Sequence, residues 1–422
     1  MLDIKFIREN PEKVKRACEK KQVKVDIDLL LKLDKQRREL IKEIEKRRAL
    51  QNQFSRKIKE LTPKEKKEKI EEMKKIVKEI DKFKDKLAEI EPLFKKILLE
   101  IPNPPLDDVK VGLTEADNEI IRHEGEIPKF DFPPKDYLEL NEALDLIDTK
   151  RASRTSGSRF GYLKNEAVLL EFALFRFALD TLLEEGFIPV IPPVMVKKEI
   201  MEAMGYYTRG AEEIFHLEKD DLYLIGTAEQ AIGPMHMNEI LKEEDLPLRY
   251  LGFSSCFRRE AGSYGRDVRG ILRVHQFDKA EMFSFVHPKN SRQEHLFFLS
   301  LEEKMMKALK LPYRVVRMCT ADLGDPAADK YDIETWLPGQ HEYRETHSTS
   351  NCTDFQARRL NIRFKRKGKK ETEFVHTVNG TAFSQRPIIA IMENYQTKEG
   401  DIIVPEVLRK YMNGMEIIRR KK

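Results

Sequence analysis

The sequence predicts an α+β protein in which a long antiparallel helical hairpin precedes a domain built on an antiparallel β-sheet flanked by helices. Three observations support this fold class. Residues 31–100 contain no glycine and consist almost entirely of residues that favour helices. Residues 101–105, which include three prolines, end the helical pattern. Beyond them, short β-branched segments alternate with turn residues, as is typical of strands joined by hairpins.

Composition narrows the class of protein. The 422 residues correspond to two or three domains of roughly 150 residues each. No run of 18 apolar residues occurs, so we expect no transmembrane helix, and the first residues lack the apolar stretch of a secretory signal. The cysteines, Cys18, Cys256, Cys319 and Cys352, are too far apart for a CxxC metal site or a disulfide framework. We therefore expect a cytoplasmic protein with reduced, inert thiols.

Apolar residues in and next to residues 31–100 recur at steps of three and four, the spacing of a coiled-coil seam. The first run contains Leu30, Leu33, Leu40, Ile44, Phe54, Ile58 and Leu61, with Arg37, Arg47 and Gln51 at the remaining positions, and the second contains Met73, Ile76, Ile80, Phe83, Leu87, Ile90, Phe94 and Ile97. Between the runs, Thr62 is suited to cap a helix and Pro63 to occupy its first turn. We predict two antiparallel helices that form an arm over about residues 28–100, about 50 Å long. Pro92 is predicted to bend or restart the second helix.

The arm is strongly basic. Residues 31–100 hold 23 basic and 15 acidic residues, an excess of eight positive charges, whereas the other 352 residues carry a net charge of −3. Such a hairpin serves either as a dimerisation or spacer element or as an electrostatic arm for nucleic acid, and the pattern does not separate the two. We place an N-terminal domain at residues 1–105 and a second domain at residues 106–422.

The second domain begins with loops and then contains one clear helix. Residues 166–185 are predicted as a helix that ends at Gly186, because glycine readily takes the left-handed conformation after a helix. The predicted strands cover residues 189–196, 222–228, 248–259, 272–285, 313–319, 331–336, 343–349 and 373–378. Many strands with few intervening helices favour an antiparallel sheet over a doubly wound parallel one.

One part of this domain carries side chains suited to nucleotide chemistry. The sequence lacks a glycine-rich phosphate loop, so nucleotide binding would have to use side chains. Strand alternation places Arg258 and Glu260 on one face, and Phe277, Lys279 and Glu281 together on a face of the return strand. An arginine, an aromatic ring and carboxylates on one surface suit a phosphate, a base and an amine. The alternative interpretation is a surface hairpin held by ion pairs.

Two further segments add polar groups. Residues 343–351 place one carboxylate, Glu345, and several hydroxyl groups on a strand, a set of hard oxygen ligands suited to Mg²⁺ and phosphate. Residues 379–386 lead into a predicted helix, and Arg386 lies at its N-terminus, which attracts anions. Both segments therefore add anion- and cation-binding groups to the predicted nucleotide site.

These segments resemble the motifs of the class II aminoacyl-tRNA synthetases, and in particular those of the seryl-tRNA synthetase family. The resemblance runs through nearly the whole chain and implies a helical arm followed by a class II synthetase-like antiparallel sheet domain. The matching motifs are FDFPPKDYLEL (residues 130–140), SGSRF (156–160), GFIPVIPPVMV (186–196), GTAE (226–229), FRREAGSYGRDVRG (257–270), HQFDKAE (275–281), TDFQARR (353–359), ENYQ (393–396) and VPEVLRKYM (404–412).

The resemblance implies the activity of a serine–tRNA ligase. Such an enzyme joins serine to ATP as seryl-adenylate with release of pyrophosphate, and then transfers serine to the 3′-terminal adenosine of the serine tRNA. Charging of a selenocysteine tRNA stays open. ATP and Mg²⁺ are implied, whereas the ligand set of the family's zinc-dependent branch is not found in this sequence. Two alternatives are a paralogue that adenylates an amino acid for a carrier other than tRNA, and a non-catalytic RNA-binding paralogue.

The resemblance also assigns residues to the two substrates. Those implied to bind ATP are Arg258, Arg259, Glu260, Val274, Phe277, Glu345, Thr346, His347, Ser348 and Arg386. Those implied to bind serine are Thr227, Ala228, Glu229, Arg258, Glu281, Asn379 and Thr381. Arg258, on the α-phosphate and the serine carboxylate, and Arg386, on the γ-phosphate, are the implied catalytic residues, and Glu345 and Ser348 hold Mg²⁺ together with ATP.

Within this assignment, Glu260 holds the adenine amino group and Phe277 stacks on the adenine. Glu229 and Glu281 either pair with the serine ammonium group or accept a hydrogen bond from its hydroxyl group. The rings of His275, His347 and His376 are expected to pack in neutral form and to take no part in catalysis.

The resemblance further implies that the arm contacts the long variable arm of a serine tRNA bound to a partner subunit, and that residues 186–196 lie in a homodimer interface. The chain departs from the family pattern in two places. Residues 345–351 read ETHSTSN where EISSCSN is usual, and one residue fewer separates Gly380 from Arg386. The second departure raises the question of whether Arg386 still reaches the nucleotide site.

Overall fold

The computed structural model describes residues 2–57, 62–261, 267 and 269–420 and divides into two compact units, Met1–Pro102 and Asn103–Lys422. Two predicted seam residues, Ile58 and Leu61, lie outside the described residues, as do residues 262–266 of the FRREAGSYGRDVRG segment. The unit boundary falls three residues before the predicted domain boundary.

The first unit contains α1 (Ile4–Glu9), α2 (Pro11–Lys20), α3 (Ile27–Lys57) and α4 (Pro63–Glu100). Thr62 forms the predicted cap of α4, and its backbone N–H donates to the Glu65 carboxylate at 2.9 Å. This capping box supplies polar partners at the helix start. Of the bend or restart predicted at Pro92, the restart is wrong, since α4 continues through that residue to Glu100.

Arginines at polar positions of the predicted seam join α3 to α4. The Arg37 side chain lies 2.7 Å from the Glu91 carboxylate, and its guanidinium is 5.4 Å from the centre of the Phe94 ring. Arg47 makes the same two kinds of contact farther along the arm. The polar seam positions therefore combine an ion pair with a cation–π contact. The unit also has an apolar core of its own, which includes Ile7, Val14, Leu30, Leu33, Phe94 and Ile97.

The second unit contains helices and an extensive set of strands. Its helices are α5 (Tyr137–Leu144), α6 (Thr149–Ser156), α7 (Glu166–Glu184), α8 (Lys198–Met204), α9 (Glu229–Ile232), α10 (Ser291–Ala308), α11 (Phe355–Leu360), α12 (Arg386–Asn394) and α13 (Glu406–Arg409). Its strands are β1 (Glu119–Glu124), β2 (Ile147–Asp148), β3 (Tyr162–Leu163), β4 (Ile188–Val190), β5 (Met195–Lys197), β6 (His216–Leu217), β7 (Leu222–Leu224), β8 (Ile240–Lys242), β9 (Leu248–Phe257), β10 (Gln276–Val286), β11 (Tyr313–Arg317), β12 (Asp329–Leu337), β13 (Glu342–Thr353), β14 (Arg363–Lys365), β15 (Thr372–Phe374), β16 (His376–Phe383), β17 (Ile402–Ile403) and β18 (Ile417–Ile418).

The largest sheet formed by the described residues has the order β1-β11-β12-β13-β16-β10-β9-β4. Its neighbouring strands are antiparallel except at one edge, where β4 runs parallel to β9. The predicted antiparallel sheet is thus confirmed, with one parallel edge strand. The predicted helix before Gly186 is also confirmed, and this glycine has the positive φ of 80° that ends such a helix.

Several details of the predicted element order are wrong: the predicted strand at residues 373–378 is split between β15 and β16, that at 222–228 ends at Leu224, and two further differences follow. The predicted strand at residues 189–196 is divided into β4 and β5, because Pro192 and Pro193 lie between them and proline lacks the amide that strand pairing needs. The prediction also missed α10, which lies between β10 and β11. Its buried face includes carboxylates such as Glu302, which interrupt the apolar pattern of a packed helix. No helix among the described residues is both long and apolar enough to cross a membrane.

The two faces of the sheet have different surroundings. On one face, α10 packs beneath Gly380 of β16, where an added Cβ would lie 3.0 Å from the Glu302 carboxylate. This close approach explains the glycine. The neighbouring residue Thr381 turns to the other face, where it lines a cleft together with Glu281 of β10.

Candidate active site

A cleft of about 1070 Å³ opens beside the strands β9, β10, β13 and β16. It collects most of the residues that the sequence assigns to ATP and serine. Those that line it are Thr227, Glu229, Arg258, Glu260, Val274, Phe277, Glu281, Glu345, Thr346, Ser348, Asn379, Thr381 and Arg386. Side chains separated by up to 159 positions in sequence therefore share one cavity.

Three of the assigned side chains lie elsewhere. Ala228 is fully buried in a hydrophobic cluster behind the cleft. Arg259 lies outside the cleft, and its guanidinium is 4.8 Å from the centre of the Phe215 ring. His347 turns to the opposite side of β13, where its ring is 5.5 Å from that of Phe383. The side chains of these three residues therefore lie outside the cleft, and their assignment to the substrates stays a prediction.

His347 is buried, whereas His275 and His376 are partly buried. Burial lowers the pKa of His347 to about 3 and that of His376 to about 4. Both rings are therefore neutral at pH 7, as the sequence predicts. His275 contacts the Arg258 carbonyl oxygen at 2.9 Å through Nδ1.

A β-bulge in β13 brings Glu345 to the cleft. Ile333 of β12 pairs with His347, but the next residue of β12 pairs with Glu345, so Thr346 is the extra residue. Strict alternation from Ser348 would turn Glu345 away from the cleft and present Arg344 in its place. Because the bulge breaks the alternation, Glu345, Thr346 and Ser348 all line the cavity. Because of the bulge, the cleft receives the negative charge of Glu345 and not the positive charge of Arg344.

Arg258 and Phe277 form one wall of the cleft. Strand β9 ends at Phe257, so Arg258 is held by a loop contact and not by the strand alternation that the sequence suggested. Its Nε donates to the Gly226 carbonyl oxygen at 3.1 Å, and its guanidinium lies 5.2 Å from the centre of the Phe277 ring. Glu260 follows with a positive φ of 52° and accepts a hydrogen bond from Arg273 at 3.0 Å.

Arg386 and Glu345 form an ion pair at another part of the cleft. The Arg386 Nη1 lies 2.9 Å from the Glu345 carboxylate, so the shorter connection after Gly380 still brings this arginine to the site. Burial alone would raise the pKa of Glu345, but the charges of Arg386 and Lys330 outweigh it and lower the pKa to about 2. Glu345 is consequently ionised at pH 7.

Two carboxylates, Glu229 and Glu281, lie in the same cavity with different partners. Glu281 is paired with Lys279, whose Nζ lies 2.5 Å from Oε2. Glu229 accepts hydrogen bonds from the Tyr206 hydroxyl at 2.9 Å and from the Gln356 amide at 2.8 Å. Burial and the charge of Glu281 raise the pKa of Glu229 to about 7. One carboxylate is thus neutralised by a cation and the other is held by uncharged donors.

Several residues of the cleft had no role in the sequence-based assignment. They include Tyr206, Arg273, Lys279, Lys330, Gln356 and Gln385, which line the cavity or hold a residue that does. Alternation along β10 predicted Lys279 on the same face as Glu281, although no substrate role was assigned to it. Gln356 lies within the TDFQARR motif, but nothing in the sequence shows that α11 brings it against Glu229.

The chemistry of Glu345 and Ser348 fits Mg²⁺. Both line the cleft and offer hard oxygen atoms, and Glu345 is ionised. In nucleotide sites Mg²⁺ is generally held by one or two carboxylates together with substrate phosphates. Among the described residues, no group of three or more His, Cys, Asp or Glu side chains is arranged to hold a metal by protein ligands alone.

The fold and the cleft together define the catalytic core of a class II aminoacyl-tRNA synthetase. Residues 213–395 match the family model described as the tRNA synthetase class II core domain (G, H, P, S and T). Residues 1–105 match the model described as the seryl-tRNA synthetase N-terminal domain.

Full-length relatives specify the family. The serine–tRNA ligase of Dictyoglomus thermophilum is 49% identical over 100% of both chains, and that of Thermodesulfovibrio yellowstonii is 46% identical over 99% of this chain and 100% of its own. The crystal structure of seryl-tRNA synthetase from Pyrococcus horikoshii complexed with ATP gives a TM-score of 0.91 at 42% identity over 100% of both chains. The cytoplasmic enzyme of Naegleria fowleri in complex with AMP gives 0.86 at 32%, over 100% of this chain and 99% of that one. The chain belongs to the seryl-tRNA synthetase family.

Proposed function

We propose that this chain is a cytoplasmic serine–tRNA ligase whose chemistry takes place in the cleft described above. The observation that carries the proposal is the separation of charge within one cavity. Arg258 and Arg386 suit the phosphates of ATP, whereas Glu229 and Glu281 suit the ammonium and hydroxyl groups of serine. Family membership specifies serine among the amino acids that such a cavity would admit.

The nucleotide end of the site is built around Phe277. Its ring offers a stacking surface for adenine beside Val274, and Glu260 accepts a hydrogen bond from the adenine amino group. Arg258 lies next to the ring and binds the α-phosphate. Arg386 binds the γ-phosphate, so the two arginines hold the triphosphate at both ends. Guanidinium groups suit this role because they stay charged and offer a planar pair of donors.

The implied Mg²⁺ would be held by Glu345 and Ser348 together with the phosphates. When bound, it would neutralise charge on the triphosphate. The ion pair of Glu345 with Arg386 supports this assignment, because it keeps an ionised carboxylate beside the cation that receives the γ-phosphate.

The partners of the two pocket carboxylates suggest how they divide the recognition of serine. The hydrogen-bond donors of Glu229 are uncharged and do not neutralise its carboxylate, so it is the better partner for the serine ammonium group. Glu281 is already neutralised by Lys279, so it is better suited to accept a hydrogen bond from the serine hydroxyl. Thr227, Asn379 and Thr381 line the same cavity and complete the pocket. A site that hydrogen-bonds a hydroxyl group discriminates strongly against alanine, since its polar groups would stay unpaired.

The reaction needs positioning and charge neutralisation more than proton transfer. An oxygen of the serine carboxylate attacks the α-phosphorus, the bond to the β-phosphate breaks, and pyrophosphate leaves with the bonding electrons. Arg258 neutralises charge on the α-phosphate during this step. In the second step a hydroxyl group of the terminal adenosine attacks the carbonyl carbon, the bond between the acyl group and the phosphate breaks, and AMP leaves as the hydroxyl proton is lost.

The basic arm is proposed to bind the serine tRNA. Residues 31–100 carry an excess of eight positive charges along α3 and α4, and such a surface binds a phosphate backbone with little dependence on base sequence. The cross-helix contacts of Arg37 and Arg47 give the arm a defined shape to present these charges.

The active form is proposed to be a homodimer. Large apolar side chains are exposed along α7 and the segment after it, including Phe172 with 62% and Ile191 with 84% of its surface exposed. Large apolar side chains exposed in number commonly mark an interface between proteins. Symmetric pairing of two copies would cover this patch.

ATP–pyrophosphate exchange tests the proposal directly. Exchange should depend on serine. Threonine, alanine, glycine and cysteine are tested in its place for comparison. Exchange with serine alone, followed by charging of serine tRNA, is the expected result. No exchange with any of these amino acids would contradict the proposed activity.

A further inference from the structure

The carboxamide of Gln356 is hydrogen-bonded at both ends behind the serine pocket. Its Nε2 donates to Glu229 Oε1 at 2.8 Å, and its Oε1 accepts from the Thr377 hydroxyl at 2.6 Å. Nε2 also has the Met204 carbonyl oxygen at 3.4 Å as a second acceptor. Turning the amide over would place its oxygen against the carboxylate and its nitrogen against the hydroxyl. The Glu229 carboxylate and the Met204 carbonyl oxygen can only accept, so they fix Nε2 between them, and the Thr377 hydroxyl then donates to Oε1.

The two oxygens of Glu229 receive their hydrogen bonds from uncharged groups. Oε1 accepts from Gln356, and Oε2 accepts from the Tyr206 hydroxyl at 2.9 Å. Such donors stabilise the carboxylate form and fix its direction without cancelling its charge. A lysine or arginine in either place would supply a counter-ion and leave less attraction for an incoming ammonium group.

We propose that Gln356, held by Met204 and Thr377, is a positioning residue that favours the ionised form of Glu229 and directs it at the ammonium group of serine. This inference rests on the proposed serine site and deepens it. Gln356 does not contact the reacting atoms, and its effect on the reaction passes through Glu229.

The charges around Glu229 make its ionisation sensitive to this donor. Glu281 and Lys279 of β10 face it with opposite charges, and Tyr206 faces it from beyond α8. Burial and Glu281 raise the pKa of Glu229 to about 7, while Gln356, Tyr206 and Lys279 oppose that rise. Losing the Gln356 donor raises the pKa further. More Glu229 is then protonated at pH 7, and a neutral carboxyl group attracts an ammonium group weakly.

The test compares Gln356→Met and Thr377→Val with the unchanged protein in serine-dependent ATP–pyrophosphate exchange. Methionine has a similar length without the donor, and valine keeps the shape of threonine without the hydroxyl group. Gln356→Met should raise the KM for serine by about tenfold, the loss expected for one hydrogen bond to a charged group. The KM for ATP and the kcat at saturating serine should stay close to those of the unchanged protein. Thr377→Val should act in the same direction with a smaller change.

The pH dependence separates positioning from a general structural role. The Gln356→Met defect in serine KM should be largest at pH 6.5 and should shrink by pH 8.5, where Glu229 regains its charge. The inference would be overturned if the rise in serine KM is equal at both pH values, or if the KM for ATP rises by the same factor. If Gln356→Met fails to fold, Thr377→Val is measured at the same two pH values in its place. An unchanged serine KM in Thr377→Val would then overturn the inference.

Glu229→Gln distinguishes failure of this inference from failure of the proposed site. A higher serine KM in Glu229→Gln with no change in Gln356→Met would overturn the positioning role alone. No change in Glu229→Gln would contradict the proposed serine site itself, and the inference would fail with it.

Discussion

Arg386 donates two hydrogen bonds from one guanidinium nitrogen to Glu345, to the backbone carbonyl oxygen at 2.8 Å and to the carboxylate at 2.9 Å. The two residues proposed for the phosphate end of ATP therefore neutralise each other in the free protein. Binding of ATP consequently exchanges one set of charged contacts for another, and does not place a triphosphate on an isolated cation. The carbonyl contact also ties Arg386, at the start of α12, to the bulge in β13.

Arg258→Ala should lower the rate of serine-dependent ATP–pyrophosphate exchange by about a hundredfold or more, which is the loss typical of removing one donor that stabilises the transition state. Arg258 lies in the cleft beside Phe277, so its removal leaves the α-phosphate without this cation. The neighbouring Arg259 provides a matched control, because it is outside the cleft. Arg259→Ala should keep exchange within a few-fold of the unchanged protein. Equal loss in both variants, with thermal melting unchanged, would contradict the placement of these two side chains.

Glu302→Gln should stabilise the protein, and more so at high pH. Glu302 is fully buried beneath Gly380, and burial with the nearby Glu281 raises its pKa well above 4.5. An acid whose pKa is raised on folding costs stability as pH rises above its unfolded value, because the folded state must keep a proton that the unfolded state releases. Glutamine has no proton to lose. Thermal melting should therefore show a higher Tm for Glu302→Gln at pH 8.5 and a smaller difference at pH 5. A Tm difference between Glu302→Gln and the unchanged protein that is equal at pH 8.5 and pH 5 would contradict this account.

Shortening the arm should separate the two reactions. The cut should remove residues 40–88 and join the ends by a short turn, because Arg37 and Glu91 and the core of the first unit are then kept. Serine-dependent pyrophosphate exchange should be unchanged, whereas charging of serine tRNA should fall by about a hundredfold or more with the loss of several phosphate contacts. Filter binding at two salt concentrations should show a weaker salt dependence. Normal charging by the shortened chain would exclude the arm as the tRNA contact.

Phe172→Glu should convert a dimer into a monomer. The Phe172 side chain is 62% exposed on α7, within the patch proposed to pair two subunits, and a charge there would be buried by pairing. Sedimentation velocity should give half the mass of the unchanged protein. Leu113→Glu is the matched control, since Leu113 is 74% exposed and lies outside this patch. An unchanged mass for Phe172→Glu would place the interface elsewhere.

Local sequence signals predicted the parts of the fold that depend on near neighbours. Thr62 and Pro63 define the start of α4, and Gly186 defines the end of α7, because capping and left-handed conformations are set by a few adjacent residues. The coiled-coil spacing likewise identified the arm. The restart expected at Pro92 did not occur, because a long helix packed along its neighbour keeps its course through one missing amide hydrogen bond.

Contacts between segments that are distant in the sequence could not be predicted from it. Alternation alone would turn Glu345 away from the cleft, and the bulge at Thr346 is defined only by pairing with β12. The hydrogen bond from Gln356 to Glu229 joins residues 127 positions apart. Resemblance to the family supplied most of the cleft residues, but it assigned His347 and Arg259 by position in a motif, and the direction of each side chain depends on packing.

The separate core of the first unit has a consequence for how this chain can change over generations. Ile7, Leu30 and Phe94 are buried within that unit, and the cleft residues belong wholly to the other. Surface substitutions along α3 and α4 can therefore accumulate without disturbing the chemistry of serine activation. A lineage whose tRNA changes shape can follow it by altering the arm alone, while selection holds the cleft constant.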